Sequence, residues 1–174
     1  MDSMTLFLKP PPEISEVVLT KDREYWRKQT AAFVGDWLSE ETPLKSVCEF
    51  VERVYRDGDL EGFKGDPLYV TSDRTQSPRL LFGKLRQAQA NLYEWRLRQA
   101  AAPAQKQAMQ RAAELAYKQL FVLCPDSSEY VRRFVVFLRE QGRRADARLV
   151  VATGLQMNSG SKRLSELEEE LKEN

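Results

Sequence analysis

Residues 57–62 are the best candidate for metal chemistry in this sequence. Carboxylates at alternate positions, followed by Gly62, are typical of the start of an EF-hand calcium loop. That loop also needs a bidentate glutamate six residues after its glycine, and Leu68 stands there, directly after Pro67. The missing ligand favours a polar turn that ends a helix. The sequence therefore predicts no metal site.

Residue types that support catalysis are sparse. The chain contains no histidine, which removes the commonest general base and the commonest metal ligand. No phosphate-binding Gly-Lys-Ser/Thr loop and no Cys-x-x-Cys pair occurs. Cys48 and Cys124 lie in apolar helical patterns typical of buried free thiols, and a disulfide between them is the open alternative. We expect a protein that is not an enzyme and needs no cofactor.

Basic side chains are the strongest indication of a binding role. One group lies on a single long predicted helix: Arg79, Lys84, Arg86, Arg96 and Arg98. A second group follows further along the chain: Arg132, Arg133, Arg139, Arg143 and Arg144. Guanidinium groups form forked hydrogen bonds to carboxylates, so an acidic protein or peptide is the expected partner. Neutralisation of the arginines by Glu94, Glu129 and Glu140 on a solvated face is the open alternative.

The composition limits the class of protein. Of 174 residues, 42% are hydrophobic and 30% are charged, and the net charge is +1. These values are typical of a folded chain, and the missing basic excess argues against a nucleic-acid partner. No apolar run approaches the roughly 18 residues that a membrane span needs. We expect a chain without direct membrane insertion, either cytoplasmic or at a membrane surface as part of a longer protein.

The N-terminal part, residues 1–76, is predicted to form one domain. Residues 1–19, with three consecutive prolines, should be an extended arm. A helix over residues 22–38, capped by Thr20 or Asp22, and a second one that begins at Thr42-Pro43 should form an antiparallel hairpin. The second helix carries a clear apolar stripe, and residues 57–77 should be irregular with a possible extended piece at residues 68–70.

Residues 77–174 are predicted to form a second domain of five helices. The first should run from Ser77-Pro78 to about residue 101, followed by helices over residues 104–123, from residue 127 to Gly142, over 144–157 and over 162–172. Their apolar residues recur with helical spacing. The buried stripe of the first is predicted to be Leu81, Leu85, Ala88, Leu92 and Trp95.

A 34-residue offset aligns two segments of this second domain. It places Ala113 on Ala147, Tyr117 on Val151 and Pro125 on Ser159. A small residue at a helix crossing, an aromatic residue soon after it and a terminating proline resemble the tetratricopeptide repeat. The resemblance implies an all-α fold of antiparallel helix hairpins with a C-terminal, right-handed superhelical stack, which the last helix caps.

The same resemblance implies where a peptide would bind. In this family the first helix of each pair lines a concave groove. By helical phase, the residues expected in that groove are Trp95, Arg98, Arg132, Val136 and Arg139.

A second resemblance covers the whole chain. The segments Gly35-Asp36-Trp37-Leu38 and Leu92-Tyr93-Glu94-Trp95-Arg96, with residues 25–26 and 62–67, are similar to the soluble C-terminal region of some bacterial multi-pass membrane proteins. Those proteins are mannosyltransferase-like and of unknown function. The resemblance implies a tail domain of a larger membrane protein and transfers no catalytic residue.

Taken together, the sequence predicts a non-enzymatic scaffold for protein–protein interaction. Two alternatives stay open. The first is an oligomerisation domain, a homo-oligomer formed through Leu164, Leu167 and Leu171 of the last helix. The second is an enzyme or sensor with a site in the 57–77 loop, for which a deep pocket near Asp59, Asp66 and Tyr69 would be the sign.

Overall fold

The computed structural model describes residues 13–72 and 79–173, and this part of the chain is helical, with no strand in it. Its eight α-helices are α1 Glu16–Val34, α2 Leu44–Val51, α3 Pro67–Thr71, α4 Arg79–Gln99, α5 Pro103–Leu123, α6 Ser128–Glu140, α7 Arg144–Met157 and α8 Lys162–Glu173. A π-helical turn, Glu52–Arg56, extends α2. The predicted all-α class is confirmed.

The first helix begins earlier than predicted. The Ser15 side chain caps α1 by accepting a hydrogen bond from the Val18 amide at 3.4 Å, so Thr20 and Asp22 lie within the helix and do not cap it. The last part of the predicted extended arm is therefore helical. The rest of that arm, residues 1–12, lies outside the described residues.

The second helix buries the stripe that its sequence predicts. The predicted residues Leu44, Val47, Cys48, Val51 and Val54 are buried, and Tyr55 is half-buried. However, α1 and α2 do not pack along each other as the predicted hairpin. Both pack on α5, and α2 also contacts α7. The second helix thus bridges two C-terminal helices, so one hydrophobic core contains residues from both halves of the chain.

A buried lysine explains how the connection between α1 and α2 is held on α5. The Lys118 ammonium group donates to the carbonyl oxygens of Glu40 and Thr42, each at 2.9 Å, and lies 3.3 Å from the Glu114 carboxylate. These partners compensate for the loss of hydration of a buried charge. Thr42 itself accepts from the Ser39 amide at 2.8 Å instead of capping α2.

The stretch between α2 and α4 contains a short helix that the sequence did not predict. Asp66 caps α3 by accepting from the Leu68 amide at 2.9 Å, so residues 68–70 are helical and not extended. Two tyrosines fix this region to the end of α5. Tyr55 donates to the Val122 carbonyl at 2.7 Å, and Tyr69 donates to the neighbouring carbonyl of Leu123 at 3.3 Å.

The C-terminal helices form two consecutive antiparallel pairs and a final helix. A short turn joins α4 to α5, and Pro103 stands at the first position of α5. Gly142, with a φ of 73°, allows the tight turn between α6 and α7. The last helix packs on α7 and α6, and its residues Leu164, Leu167 and Leu171 are buried there.

Small residues occur where the paired helices approach closely. Ala113 and Ala147 are fully buried, as expected for residues at helix crossings. Gly154 is an even closer point of contact, since a Cβ atom added to it would lie 2.4 Å from Cγ1 of Val131. At Gly154 the pairing of α6 with α7 therefore leaves no room even for a methyl group.

Ala147→Leu is expected to lower the free energy of unfolding by about 1–3 kcal/mol, because the larger side chain overpacks a site with no free space. Chemical denaturation with urea measures the change. The exposed Ala88 of α4 provides the control, since Ala88→Leu adds the same atoms at the surface. Equal stability of both variants would contradict close packing of α7.

Both cysteines are buried free thiols. Burial raises the pKa of the Cys48 thiol to about 12, although the nearby Thr153 hydroxyl acts in the opposite direction. Cys48 is thus a core residue and not a nucleophile.

Candidate protein-interaction surface

The outer side of α4 carries an exposed row of apolar side chains, which we call the α4 stripe: Leu81, Leu85, Ala88, Leu92 and Trp95. Leu81 is 62% exposed, Leu85 50%, Leu92 44% and Trp95 43%. The successive spacings of four, three, four and three residues place them on one side of the helix. Half of the exposed large hydrophobic residues among those described lie in this row.

The prediction that this row is the buried side of α4 is wrong. The buried side carries Gly83, Arg86, Ala90 and Tyr93. Gly83 lies against Tyr130 of α6, since an added Cβ atom would come within 2.9 Å of the tyrosine ring. The small residues permit close approach of neighbouring helices, and the arginine is held by a polar network, so the large apolar residues remain outside.

That network joins three helices. The Arg86 guanidinium donates to Gln119 at 2.7 Å, to Gln89 at 2.8 Å and to Asp22 at 3.1 Å. It also lies 4.9 Å from the centre of the Trp26 ring. Burial lowers the pKa of Arg86, and the Asp22 carboxylate opposes this shift. Arg86 was predicted to belong to a basic binding surface, but it fixes the orientation of α4.

The charges that flank the α4 stripe are basic. Lys84 and Arg98 are exposed, and α4 contains a single acidic residue, Glu94. Glu94 accepts a hydrogen bond from the buried Tyr117 hydroxyl at 2.7 Å and lies 3.7 Å from Arg98. Burial and this carboxylate raise the pKa of Tyr117. Since Glu94 is directed toward α5, little negative charge accompanies the exposed side of α4.

The five residues predicted to line a peptide groove lie in three separate places. Trp95 belongs to the α4 stripe, and Arg98 lines a cleft of about 330 Å³ beside the ends of α4 and α6 that includes Leu97, Lys106 and Phe137. The other three, Arg132, Val136 and Arg139, lie on one side of α6 by helical phase, which we call the α6 arginine face. None of these three lines that cleft.

The arginines of the α6 arginine face have carboxylate partners in the same chain. Glu129 accepts from Arg132 at 3.0 and 2.9 Å, and Arg139 donates to Glu170 of α8 at 3.1 Å. Arg132 and Arg133 lower the pKa of Glu129. Glu94 and Glu129 neutralise arginines as expected, since Glu94 lies 3.7 Å from Arg98 and Glu129 pairs with Arg132. Arg139 pairs with Glu170 and not with the expected Glu140. An acidic peptide would have to displace these pairs.

A cleft lies next to residues 62–64. It has a volume of about 540 Å³, and the rings of Trp37, Phe50 and Phe63 contribute to its lining together with charged groups such as Arg53 and Lys64. The residues named for an enzyme or sensor site do not line it.

Each of those three residues has a structural contact instead. Asp66 caps α3, Asp59 accepts from the Glu61 amide at 2.9 Å, and the Tyr69 ring is buried. Among the residues that the structure describes, no cluster of three metal-ligating side chains occurs. The cleft therefore contains none of the three residues named for an enzyme or sensor site, and its lining combines aromatic rings with charged side chains.

The predicted oligomerisation face on α8 is covered within one copy of the chain, because Leu164, Leu167 and Leu171 belong to the core. An oligomeric contact through this face would have to compete with α6 and α7. None of the described helices has the length and apolar character required to cross a membrane.

Comparison with family models, with curated proteins and with solved structures gives no match for this chain.

Proposed function

We propose that this chain is a non-enzymatic protein–protein interaction module that binds its partner through the α4 stripe. The observation that carries the proposal is the row of four large, substantially exposed apolar side chains on one side of a single helix. Isolated exposed apolar residues are normal on protein surfaces, but a contiguous row is typical of an interaction site.

The energetics of burial support a binding role for the α4 stripe. Complete burial of a leucine side chain stabilises by about 1.5–3 kcal/mol relative to full exposure. Since each of the three leucines is about half exposed, covering it with a partner should contribute about half of that free energy. Trp95 adds a large ring of the kind that often dominates the energy of an interface.

The scaffold in this proposal is a tetratricopeptide-like stack of α4 with α5, α6 with α7, and α8 as the cap. Support comes from the 34-residue offset and from the small buried residues Ala113 and Ala147 at equivalent positions. In such a stack α4 is the first helix, and its outer side is where a preceding helix would pack. Because no further helix of the stack, among the residues that the structure describes, covers the outer side of α4, its apolar residues are available to a partner.

The α6 arginine face takes a secondary part in the proposal. Its guanidinium groups already satisfy carboxylates of the same chain, so binding there exchanges one set of ion pairs for another and gains little. Trp95 and Arg98 remain in the proposed site from the predicted groove. If the chain is a tail domain of a membrane protein, as the second resemblance implies, the partner is the rest of that protein or a protein beside the membrane.

Leu92→Glu is expected to weaken partner binding by at least about tenfold, since it places a charge in the middle of the apolar contact. Protein stability should change by less than about 0.5 kcal/mol, because Leu92 is exposed. The measurement is quantitative mass spectrometry of the proteins retained by the immobilised chain.

Leu68→Glu is the matched control, because Leu68 is 74% exposed and lies on α3, away from the α4 stripe. The proposal requires a partner that wild type and the Leu68 variant retain and the Leu92 variant loses. Equal retention of every captured protein by all three would refute it.

A further inference from the structure

On the basis of the proposed function, we infer that the partner segment is an amphipathic α-helix with glutamate or aspartate residues beside its apolar face. The α4 stripe has the spacing of a helix-pairing seam, and the exposed charges beside it are basic. These are two separate observations, one geometric and one electrostatic, and they concern different properties of the partner.

The spacing of the α4 stripe determines the shape of the partner. Alternation of four and three residues between apolar positions is the a/d pattern with which one helix packs its side chains between those of another. From Leu81 to Trp95 the row extends over about 21 Å at 1.5 Å per residue. A helix of four turns matches this length and can engage all five positions.

The charges beside the α4 stripe determine the chemistry of the partner. Helix α4 contains five basic residues and one acidic residue, Glu94. The hydroxyl of Tyr117 engages that carboxylate on the α5 side of the helix. The exposed flanks consequently present Lys84 and Arg98, which favour carboxylates at the edges of an interface. Arg98 is partly compensated within the chain, since it lies 3.7 Å from Glu94 and shares a cleft with Glu140.

A second copy of this chain does not meet the electrostatic requirement. Pairing α4 with another α4 would bring the exposed Lys84 and Arg98 of both copies to the edges of the same helix pair. Like charges at the edges of a helix pair are destabilising and direct the choice toward a different partner. The occupant is therefore a helix of opposite charge and not the α4 of another copy.

Two synthetic helical peptides of 21 residues test the inference directly. Both have leucine at the a and d positions, and one has glutamate and the other lysine at the flanking e and g positions. Fluorescence anisotropy of the labelled peptides gives the Kd of each. The glutamate peptide is expected to bind at least tenfold more tightly than the lysine peptide at 50 mM salt, and the difference should shrink at 300 mM salt.

Charge-reversal variants of the protein, tested with the same two peptides, give a more specific test. The double variant Lys84→Glu and Arg98→Glu should prefer the lysine peptide. The double variant Lys45→Glu and Lys162→Glu changes the net charge equally at exposed positions on α2 and α8 and should keep the wild-type preference.

The outcomes separate the inference from the proposed function. Equal affinity for both peptides, lost in Leu92→Glu, would overturn the acidic partner and leave the α4 stripe as the site. Binding that is absent, or that is indifferent to Leu92→Glu, would overturn the proposed site itself. A dimer of the wild type in sedimentation velocity, dissociated by Leu92→Glu but not by Leu68→Glu, would identify a second copy as the occupant and refute the inference.

Discussion

Arg86→Met is expected to lower the free energy of unfolding by about 3–5 kcal/mol, the cost of removing one partner from a buried ion pair. Only 1% of the Arg86 side chain is exposed. Its loss leaves the side-chain oxygens of Gln89 and Gln119 without their donor. It also leaves the largely buried Asp22 carboxylate without its ion-pair partner, although the Gln89 amide group still donates to it at 2.9 Å. Methionine fills much of the volume but provides no hydrogen bond. Urea denaturation monitored by circular dichroism measures the loss.

Three further variants establish that the cost comes from the buried network. Arg98→Met removes an exposed arginine from the same helix and should change stability by less than about 0.5 kcal/mol. Arg86→Lys keeps the charge but not the forked geometry, so its loss should be intermediate. Asp22→Asn in the Arg86→Met background should recover part of the loss, because it removes the unpaired charge. A loss below 1 kcal/mol in Arg86→Met would show that the network contributes little.

Arg86 also explains why the orientation of α4 was predicted incorrectly. Periodicity assigns the side with the most large apolar residues to the core, and in α4 that side is the row from Leu81 to Trp95. The side that is buried contains glycine, alanine and an arginine whose partners, Asp22 and Gln119, are 64 and 33 residues away in sequence. No local pattern reveals such partners, so periodicity alone assigns the wrong side of α4 to the core.

The helices that were predicted well have strong local signals at both ends. Ser127 caps α6 by accepting from the Tyr130 amide, and Gly142 permits the turn that follows. The stripe predicted for the second helix is largely confirmed, since five of its six residues are buried and Tyr55 is half-buried, while the structure also buries Phe50. Where cap, period and turn agree, the element and its buried side can be predicted from the sequence.

The candidate site could be predicted only in part, because some of its residues are positioned by contacts with residues far away in the sequence. The predicted groove contained Trp95 and Arg98, which remain in the proposed site, although the predicted buried stripe of α4 also included Trp95. The pair between Arg139 and Glu170 joins α6 to α8 across 31 residues. The sequence suggested neutralisation of the arginines but could not identify this carboxylate, since it requires the packing of α8.

Gly65→Ala is expected to destabilise the protein by about 3 kcal/mol, at the upper end of the usual cost of overpacking. A Cβ atom at this position would lie 2.2 Å from the Phe33 carbonyl oxygen and 2.6 Å from Cα of Val34. Both are backbone atoms of α1 and cannot move aside as a flexible side chain does. The added methyl group must therefore displace the loop, which is tied to α1 by the hydrogen bond from the Asp66 amide to Phe33 at 2.9 Å.

Gly160→Ala is the matched control for this variant. No atom lies within 4 Å of a Cβ at Gly160, so the added methyl group causes no clash. The change should be neutral, or should stabilise the protein by up to about 1 kcal/mol because alanine lowers the conformational entropy of the unfolded chain. Phe63→Leu in the Gly65→Ala background should restore little, because it relieves the contact of 2.6 Å with the Phe63 ring but leaves both backbone contacts. Thermal and urea unfolding of the four proteins measure these differences. Wild-type stability of Gly65→Ala would mean that the loop does not lie against α1, and the cleft beside Phe63 would then lack the fixed wall that gives it its shape.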